Sequence, residues 1–268
     1  MDKRNEETRP VILLVDNDPL NREIVKDMLE HCGCRVHVAG NGHEAVDAFS
    51  RQSFDMMFLE CLIPEMDGFA TAEKIRDMEA KNPGRTAGKK VPMVALCASS
   101  AAGGNEAILR SGMDDHLAKP CRIADIQAML EKWLAARRPE GGDSDTQGRD
   151  GSPAIDHEAL KMLASLQPQG ARELLTKLIT VYLDSSSKQM KDILDAVNGH
   201  DIPALLTAAH TLKSSSASLG AVNFAEQCKE LEMMARSGAI DGAGNRIAPL
   251  EHEYGRVRDS LALYLASL

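Results

Sequence analysis

Short apolar runs alternate with segments of helical periodicity along the first half of the chain. The first run, Val11–Val15, is continuously apolar, as is typical of a parallel strand buried on both faces. Four more strand-like runs follow at 36–39, 55–60, 91–97 and 116–118. Because helix-like segments separate and follow these runs, the pattern predicts an α/β fold with a doubly wound, five-stranded parallel sheet.

Local signals place the ends of several predicted helices. Asp18 and Pro19 have the residue types of an N-cap and a first helical position, and they open a helix that runs to about Cys32. Asp67 and Gly68 begin a later helix, and the last helix of this half covers 123–136. Open α/β sheets build their sites at the carboxyl ends of the strands, so polar residues there are candidates for function.

The second half of the chain shows helical periodicity and no convincing strand. Residues 138–153 precede it and are poor in apolar residues and rich in Gly, Asp and Ser, which predicts a flexible linker. Predicted helices cover about 172–197, 201 through 210 to a stop or kink at Gly220, 223–236 and 246–265. Four helices with short connections predict an all-α domain, an antiparallel four-helix bundle. The predicted domains are therefore 9–137 and 154–268.

Composition narrows the class of protein. The 268 residues suffice for two domains, and 43% hydrophobic with 26% charged residues is ordinary for a soluble globular protein. A net charge of −9 argues against nucleic-acid binding, which needs a basic surface. No apolar run approaches the roughly 20 residues of a membrane span. The six cysteines show no paired zinc spacing and no secreted-type framework, so we expect a cytoplasmic location.

One histidine in the second half has neighbours suited to phosphoryl carriage. His210, Lys213 and Ser214 stand at i, i+3 and i+4, so they share a face of the predicted helix. A neutral imidazole is a good nucleophile near neutral pH, and a nearby lysine offsets the charge of a phosphoryl group. The small residues Ser214 and Ala217 leave room for a partner to dock. The alternative is an incidental His–Lys pair on a surface helix.

The longer string around this histidine strengthens the hypothesis. Residues 209–221 read AHTLKSSSASLGA, which strongly resembles the signature of histidine phosphotransfer (HPt) domains. The resemblance extends through Cys228 to Glu232 and covers about 154–268. It implies phosphorylation on an exposed Nε2 of His210. It also implies docking onto a receiver domain that supplies the aspartate and the Mg²⁺, so we expect no intrinsic cofactor.

The first half resembles response-regulator receiver domains over about 9–137. The matching pieces are Leu14-Val15-Asp16 with Pro19 and Asn21, Pro64-Glu65-Met66-Asp67-Gly68, and Ala118-Lys119-Pro120. The resemblance implies a flavodoxin-like sheet. It also implies a site in which an acidic pair and an acceptor aspartate bind Mg²⁺, while a Thr or Ser and a Lys hold the phosphoryl oxygens.

Three of these site positions depart from the receiver pattern. Asp16 and Lys119 are retained, but the second acidic position is Asn17, the acceptor position is Glu60 and the Thr or Ser position is Cys97. The longer Glu60 carboxylate is displaced by about one bond length and can pair with Lys119. Asn17 removes a charge from a hard-cation site, and Cys97 is a poor substitute for a hydroxyl. We therefore predict a pseudo-receiver that neither takes nor returns phosphate.

Other interpretations of these positions stay open. One alternative is that Glu60 is phosphorylated in spite of its length, and the other is that it is an engineered mimic of the phosphorylated aspartate. No metal is expected, and Asp16 and Glu60 are the candidate ligands if one binds. Cys61 and Cys97 lie near strand ends, where a disulfide in the pocket is conceivable, although buried structural cysteines are far commoner.

The sequence favours a phosphorelay intermediate that is not an enzyme, because it has no ATP-binding segment. The expected partners are the receiver of a hybrid histidine kinase and a downstream response regulator, with no nucleic acid and no membrane. The pseudo-receiver would dock, dimerise or control access to His210. The alternatives are a binding module that sequesters a kinase or regulator, and a receiver that takes phosphate from a small donor. The initial Met favours a complete gene product over the tail of a hybrid kinase.

Overall fold

The computed structural model describes residues 9–82, 90–98, 108, 110–134, 154–167, 169–238 and 240–268. The chain divides into two compact units, an N-terminal α/β unit and a C-terminal helical unit. The linker predicted at 138–153 lies outside the described residues, as do the last two residues of the helix predicted at 123–136.

Among the described residues of the N-terminal unit, five strands form one parallel sheet. The strands are β1 (Val11–Val15), β2 (Arg35–Ala39), β3 (Met56–Glu60), β4 (Met93–Ala98) and β5 (Asp115–Lys119). Their order is β2-β1-β3-β4-β5, and every neighbouring pair is parallel. This order is that of flavodoxin-like folds and confirms the predicted doubly wound sheet.

Helices connect and follow the strands of this sheet. They are α1 (Pro19–His31), α2 (Gly42–Arg51), α3 (Gly68–Lys81) and α4 (Ile123–Leu134). The Asp18 side chain accepts from the backbone N–H of Asn21 at 2.8 Å, as predicted for an N-cap. The Asp67 side chain accepts from the N–H of Ala70 at 2.7 Å and caps α3 in the same way.

The start of α3 lies very close to the end of β3. A Cβ atom on Gly68 would stand 2.2 Å from the backbone oxygen of Glu60, so glycine is required there for the two segments to meet. Residues of β1 and β3 are fully buried, from Ile12 to Val15 and from Met56 to Leu59. The carboxyl ends of these buried strands therefore hold their polar residues in fixed positions.

The described part of the C-terminal unit is helical. Its helices are α5 (His157–Ala164), α6 (Ala171–Gly199), α7 (Ile202–Ser218), α8 (Val222–Ser237) and α9 (Gly244–Ser267), with a 3₁₀ turn at Ile240–Gly242. The four long helices confirm the predicted bundle, and α5 is an addition that periodicity did not predict. The connections of two or three residues between α6, α7 and α8 reverse the chain direction, as in an antiparallel bundle.

Two hydroxyl pairs lie inside the bundle. Tyr182 Oη lies 2.9 Å from Ser216 Oγ, and Ser186 Oγ lies 2.9 Å from Tyr254 Oη. Leu178, Leu205 and other leucines of the bundle are fully buried. Because these hydroxyls are hydrogen-bonded, their burial does not carry the cost of an unsatisfied polar group. The two pairs fix which face of α6 packs against α7 and α9.

Candidate functional site

Helix α7 positions the predicted histidine and lysine of the C-terminal unit. Asp201 caps this helix, because its side chain accepts from the N–H of Ala204 at 3.0 Å, and the chain turns away after Gly220, which has φ +82°. His210 and Lys213 therefore lie one turn apart on a rigid helix. Among the small residues predicted for docking, Ser214 is buried and Ala217 is partly buried.

A carboxylate on helix α8 joins these two side chains. His210 Nδ1 lies 3.0 Å from Oε1 of Glu232, and Lys213 Nζ donates to Oε2 at 2.5 Å. Arg236 donates to Oε1 from one helical turn further on, at 2.7 Å from its Nη2. The Glu232 side chain is 3% exposed, so a single buried carboxylate holds the histidine and two cations together.

The ionised carboxylate of Glu232 determines which nitrogen of the neutral histidine ring carries the proton. Burial alone would raise the pKa of Glu232, but the hydrogen bonds from His210, Lys213 and Arg236 outweigh it and hold that pKa well below its usual range. An ionised carboxylate only accepts hydrogen bonds. Nδ1 of His210 therefore carries the proton, and in the neutral ring the lone pair is on Nε2.

His210 is more enclosed than its resemblance implies. The residue is 3% exposed, and its Nε2 atom is buried, whereas the family resemblance implies an exposed Nε2. The hydrogen bond to Glu232 fixes the orientation of the ring, with Nδ1 toward the carboxylate. Any reaction at Nε2 thus requires the atom to become accessible to its partner.

In the N-terminal unit, three predicted residues meet at the carboxyl edge of the sheet. Asp16 follows β1, Glu60 ends β3 and Lys119 ends β5. Lys119 Nζ donates to Asp16 Oδ2 at 2.5 Å and also donates to Glu60 Oε2. The pairing of Glu60 with Lys119 that the sequence predicted is therefore present, with Asp16 as a second carboxylate on the same ammonium.

Burial strengthens the attraction between the lysine and the two carboxylates of this ion cluster. Asp16, Glu60 and Lys119 are all buried. Burial alone would lower the pKa of Lys119, but the two carboxylates outweigh it and raise that pKa well above its usual value. The other oxygen of Glu60, Oε1, accepts from the backbone N–H of Leu62 at 3.0 Å. Both oxygens of the Glu60 carboxylate are thus engaged within the domain.

These residues fit Mg²⁺ poorly. A hard divalent cation takes several oxygen ligands, and here the ammonium of Lys119 stands between the two carboxylates that would provide them. Asn17 brings no negative charge to the site. Within the described ranges, no group of three or more His, Cys, Asp or Glu side chains is placed to hold a metal ion.

Cys97 lies beside a second thiol. Its Sγ is 3.2 Å from Sγ of Cys61, and both residues are buried. The position at which receivers are expected to have a hydroxyl is therefore engaged with another sulfur atom.

No sequence signal assigns a role to two residues of the histidine site. Glu232 ends the string that resembles the HPt signature, and Arg236 lies outside it. Their i, i+4 spacing is the signal available for this ion pair, but it is common on exposed helix faces. The contact between Glu232 and His210 joins two helices, so no local pattern reveals it.

The fold and the two sites define a class of protein, the phosphotransfer modules of two-component signalling. Residues 12–131 match the response regulator receiver domain family, and residues 177–260 match the Hpt domain family. Over these residues the chain therefore contains a receiver domain and an Hpt domain, the two domain types of two-component phosphorelays. No helix in the described part of the chain is long and apolar enough to cross a membrane.

Two curated relatives match the chain over a length that includes parts of both units. The chain is 30% identical over 234 residues to Sensor protein GacS of Pseudomonas syringae pv. syringae, over 86% of this chain and 25% of that protein. It is 25% identical over 234 residues to signal transduction histidine-protein kinase BarA of Escherichia coli K12, over 85% of this chain and 24% of that protein. The chain thus spans about a quarter of the length of these relatives.

Solved structures also resemble the chain. The receiver domain of sensor histidine kinase PA1611 from Pseudomonas aeruginosa, with magnesium in its active site cleft, is 33% identical. The match covers 48% of this chain and 100% of that one, with a TM-score of 0.42. A complex of Ypd1 with the Ssk1 receiver domain from Saccharomyces cerevisiae is 27% identical, over 47% of this chain and 88% of that one, with a TM-score of 0.44.

Proposed function

We propose that the Hpt domain carries a phosphoryl group on Nε2 of His210 and passes it between receiver domains of other proteins. The donor is the receiver of a hybrid histidine kinase, and the acceptor is a downstream response regulator. The observation that carries this proposal is the hydrogen bond between His210 Nδ1 and the ionised Glu232. It leaves the Nε2 lone pair as the nucleophile.

The transfer step uses few groups of this chain. The Nε2 lone pair of His210 attacks the phosphorus of an aspartyl phosphate on the partner, so that a P–N bond forms as the P–O bond to the aspartate breaks. The aspartate leaves as a carboxylate. Lys213, one turn from His210, offsets the charge of the transferred group, and Mg²⁺ is supplied by the partner receiver. The proposed step needs no ATP, so the chain acts as a carrier rather than as a kinase. We propose that it does so in the cytoplasm.

The attached receiver is proposed to be a pseudo-receiver over 9–137, joined by the linker 138–153 to the Hpt domain at 154–268. The pairing of Lys119 with Asp16 and Glu60 supports this, because the acceptor position is engaged in a buried ion cluster. Its task is docking or regulation. His210 therefore exchanges phosphate with receivers on other proteins.

The burial of His210 favours a second candidate function. In this alternative, the bundle sequesters a kinase or regulator without transferring a phosphoryl group. A phosphoryl acceptor must be reached by its partner, and Nε2 is buried here. The two candidate functions differ in whether a phosphoryl group is ever transferred to His210.

Radiolabelled transfer from phosphorylated receivers of the source organism tests the proposal. His210→Gln should accept no label, while His252→Gln, a change to an exposed histidine on α9, should accept as much as the unmodified protein. Equal labelling of His210→Gln would disprove the assignment. Binding of a receiver without labelling, for every receiver tried, would establish the sequestration alternative.

A second pair of variants tests the role of Lys213. Lys213→Ala should slow transfer by on the order of 100-fold, because a charge that stabilises the transition state is lost. Lys229→Ala removes a lysine that pairs with the exposed Glu226 on α8, so its transfer rate should stay unchanged. Equal rates in both variants would remove Lys213 from the mechanism.

A further inference from the structure

Cys61 and Cys97 form a close pair of buried thiols in the receiver domain. Their Sγ atoms are 3.2 Å apart. Cys61 follows β3 directly and Cys97 lies in β4, and the pairing of Glu60 with Leu96 places the two cysteines opposite each other in the register. All six cysteines of the chain lie among the described residues, and all six are thiols.

The backbone already suits a covalent bond between this pair. Neighbouring strands lie about 4.8 Å apart, and the Cα atoms of disulfide-bonded cysteines lie about 4.4 to 6.8 Å apart. Opposite residues of parallel strands point to the same face of the sheet. Small side-chain rotations are therefore enough to bring the sulfurs from 3.2 Å to the bonded distance of about 2.05 Å.

We propose that Cys61 and Cys97 are a reversible disulfide site. The oxidant is a low-molecular-weight disulfide such as oxidised glutathione. One cysteine thiolate attacks a sulfur of the oxidant, forming a mixed disulfide and releasing one glutathione thiolate. The second cysteine then attacks the protein sulfur of the mixed disulfide and releases the second thiolate. The two thiol protons go to these released thiolates, so two cysteine thiols become one disulfide and the oxidant becomes two thiols.

The new bond would act next to the ion cluster of the receiver. Cys61 is adjacent to Glu60, and its backbone oxygen accepts from the N–H of Gly68, the first residue of α3, at 3.1 Å. The disulfide thus ties β4 to the segment that connects β3 with α3. Oxidation therefore couples the redox state of the surroundings to the position of this connection, which adjoins Glu60.

The surroundings of the pair make it slow to react. The hydrogen bond with Cys97, and then burial, raise the pKa of Cys61 far above its usual value. Because the thiolate is the attacking species, the pair stays reduced in brief contact with oxidant. The site thus responds to sustained oxidising conditions, so its test must hold the protein at equilibrium with the oxidant.

The test is a redox titration of the full chain. The protein is held to equilibrium in buffers of rising oxidised-to-reduced glutathione ratio, alkylated and digested without reduction. Mass spectrometry should find a linked peptide pair containing Cys61 and Cys97, lighter by two hydrogen atoms than the separate peptides. Dithiothreitol should reverse the link. Cys228, which is buried in the Hpt domain, should remain a thiol throughout.

Variants and a second solvent condition make the result decisive. Serine is close in size to cysteine, so the Cys97→Ser variant should keep its fold, as measured by circular dichroism. It should not form the linked peptide pair. A parallel series in urea below the unfolding transition speeds access to the buried sulfurs. Thiols that stay unlinked in both series would overturn the proposal. So would a link from Cys61 to another cysteine such as Cys121, or glutathione attached singly to Cys61.

Discussion

Glu232 Oε1 accepts a hydrogen bond from His210 Nδ1 at 3.0 Å, although the two residues lie on different helices. The same carboxylate accepts from Lys213 and Arg236, so its negative charge is neutralised without being protonated. This single side chain therefore selects the ring tautomer and orients the lysine. Its position in the bundle, rather than its place in the sequence, gives it this role.

Replacing the carboxylate by an amide tests this relationship. In Glu232→Gln, the amide can turn its NH₂ group toward Nδ1, which favours the tautomer with the proton on Nε2. That tautomer has no lone pair on Nε2 for attack on phosphorus. We expect phosphoryl transfer to His210 to slow by on the order of 100-fold, measured as single-turnover label transfer.

The control for this change lies on the same helix. Glu230 pairs with Arg246 at the surface, with 46% of its side chain exposed. Glu230→Gln changes the net charge by the same amount without touching His210, so its transfer rate should equal that of the unmodified protein. Equal rates for both glutamine variants would mean that Glu232 does not set the tautomer.

The depressed pKa of Glu232 also predicts a pH dependence of stability. A carboxylate whose pKa is lower in the folded state stabilises the fold above its unfolded pKa, near 4.5, and this stabilisation is lost as the pH falls below that value. At pH 7, Glu232→Gln should lower the free energy of unfolding by about 2 kcal/mol. The difference from the unmodified protein should shrink toward acid pH.

Near-ultraviolet circular dichroism of the tyrosines is a suitable measurement. All three tyrosines lie in the Hpt domain, as Tyr182, Tyr254 and Tyr264, so their signal follows the unfolding of this domain in urea. A difference between the two proteins that stays constant from neutral to acid pH would contradict the assigned pKa shift.

The sheet could be predicted from sequence because strands buried on both faces leave continuous apolar runs. Each observed strand lies within two residues of its predicted bounds, and the site residues follow from the ends of β1, β3 and β5. Helix α5 was missed, because it has only eight residues and its buried side chains are Leu160 and Leu163. Two apolar positions are too few to establish a helical period.

In the Hpt domain, the candidate site was predictable only where its residues are neighbours on one helix. His210 and Lys213 share one helix, so their spacing revealed them. The role of Glu232 depends on packing between helices, since it lies 22 residues from His210. The strand ends made a contact between Cys61 and Cys97 conceivable, but the 3.2 Å distance between their sulfurs depends on packing between segments 36 residues apart. The burial of Nε2 also depends on tertiary structure and could not be predicted from the string around His210.

Removing the ammonium from the receiver cluster should be strongly destabilising. Lys119→Met leaves the buried carboxylates of Asp16 and Glu60 uncompensated, which costs about 3 to 5 kcal/mol. The chain has one tryptophan, Trp133, and it lies on α4 of the receiver domain, so its fluorescence follows this domain in urea. Lys74→Met, at an exposed position of α3, should change stability little. Similar small effects for both variants would contradict the ion cluster.

Placing aspartate at positions 17 and 60, as the receiver pattern has, should create a magnesium site. In the double variant Asn17→Asp with Glu60→Asp, one negative charge is added and the acceptor carboxylate is shortened, which moves it out of close contact with Lys119. We expect saturable Mg²⁺ binding at millimolar concentration, measured by calorimetry and by chemical shifts of Lys119, and none for the unmodified protein. The control, Glu73→Asp with Asn82→Asp, makes the same chemical changes at exposed positions and should bind no Mg²⁺. Equal binding by the unmodified protein would show that Glu60 and Asn17 do not disable the receiver.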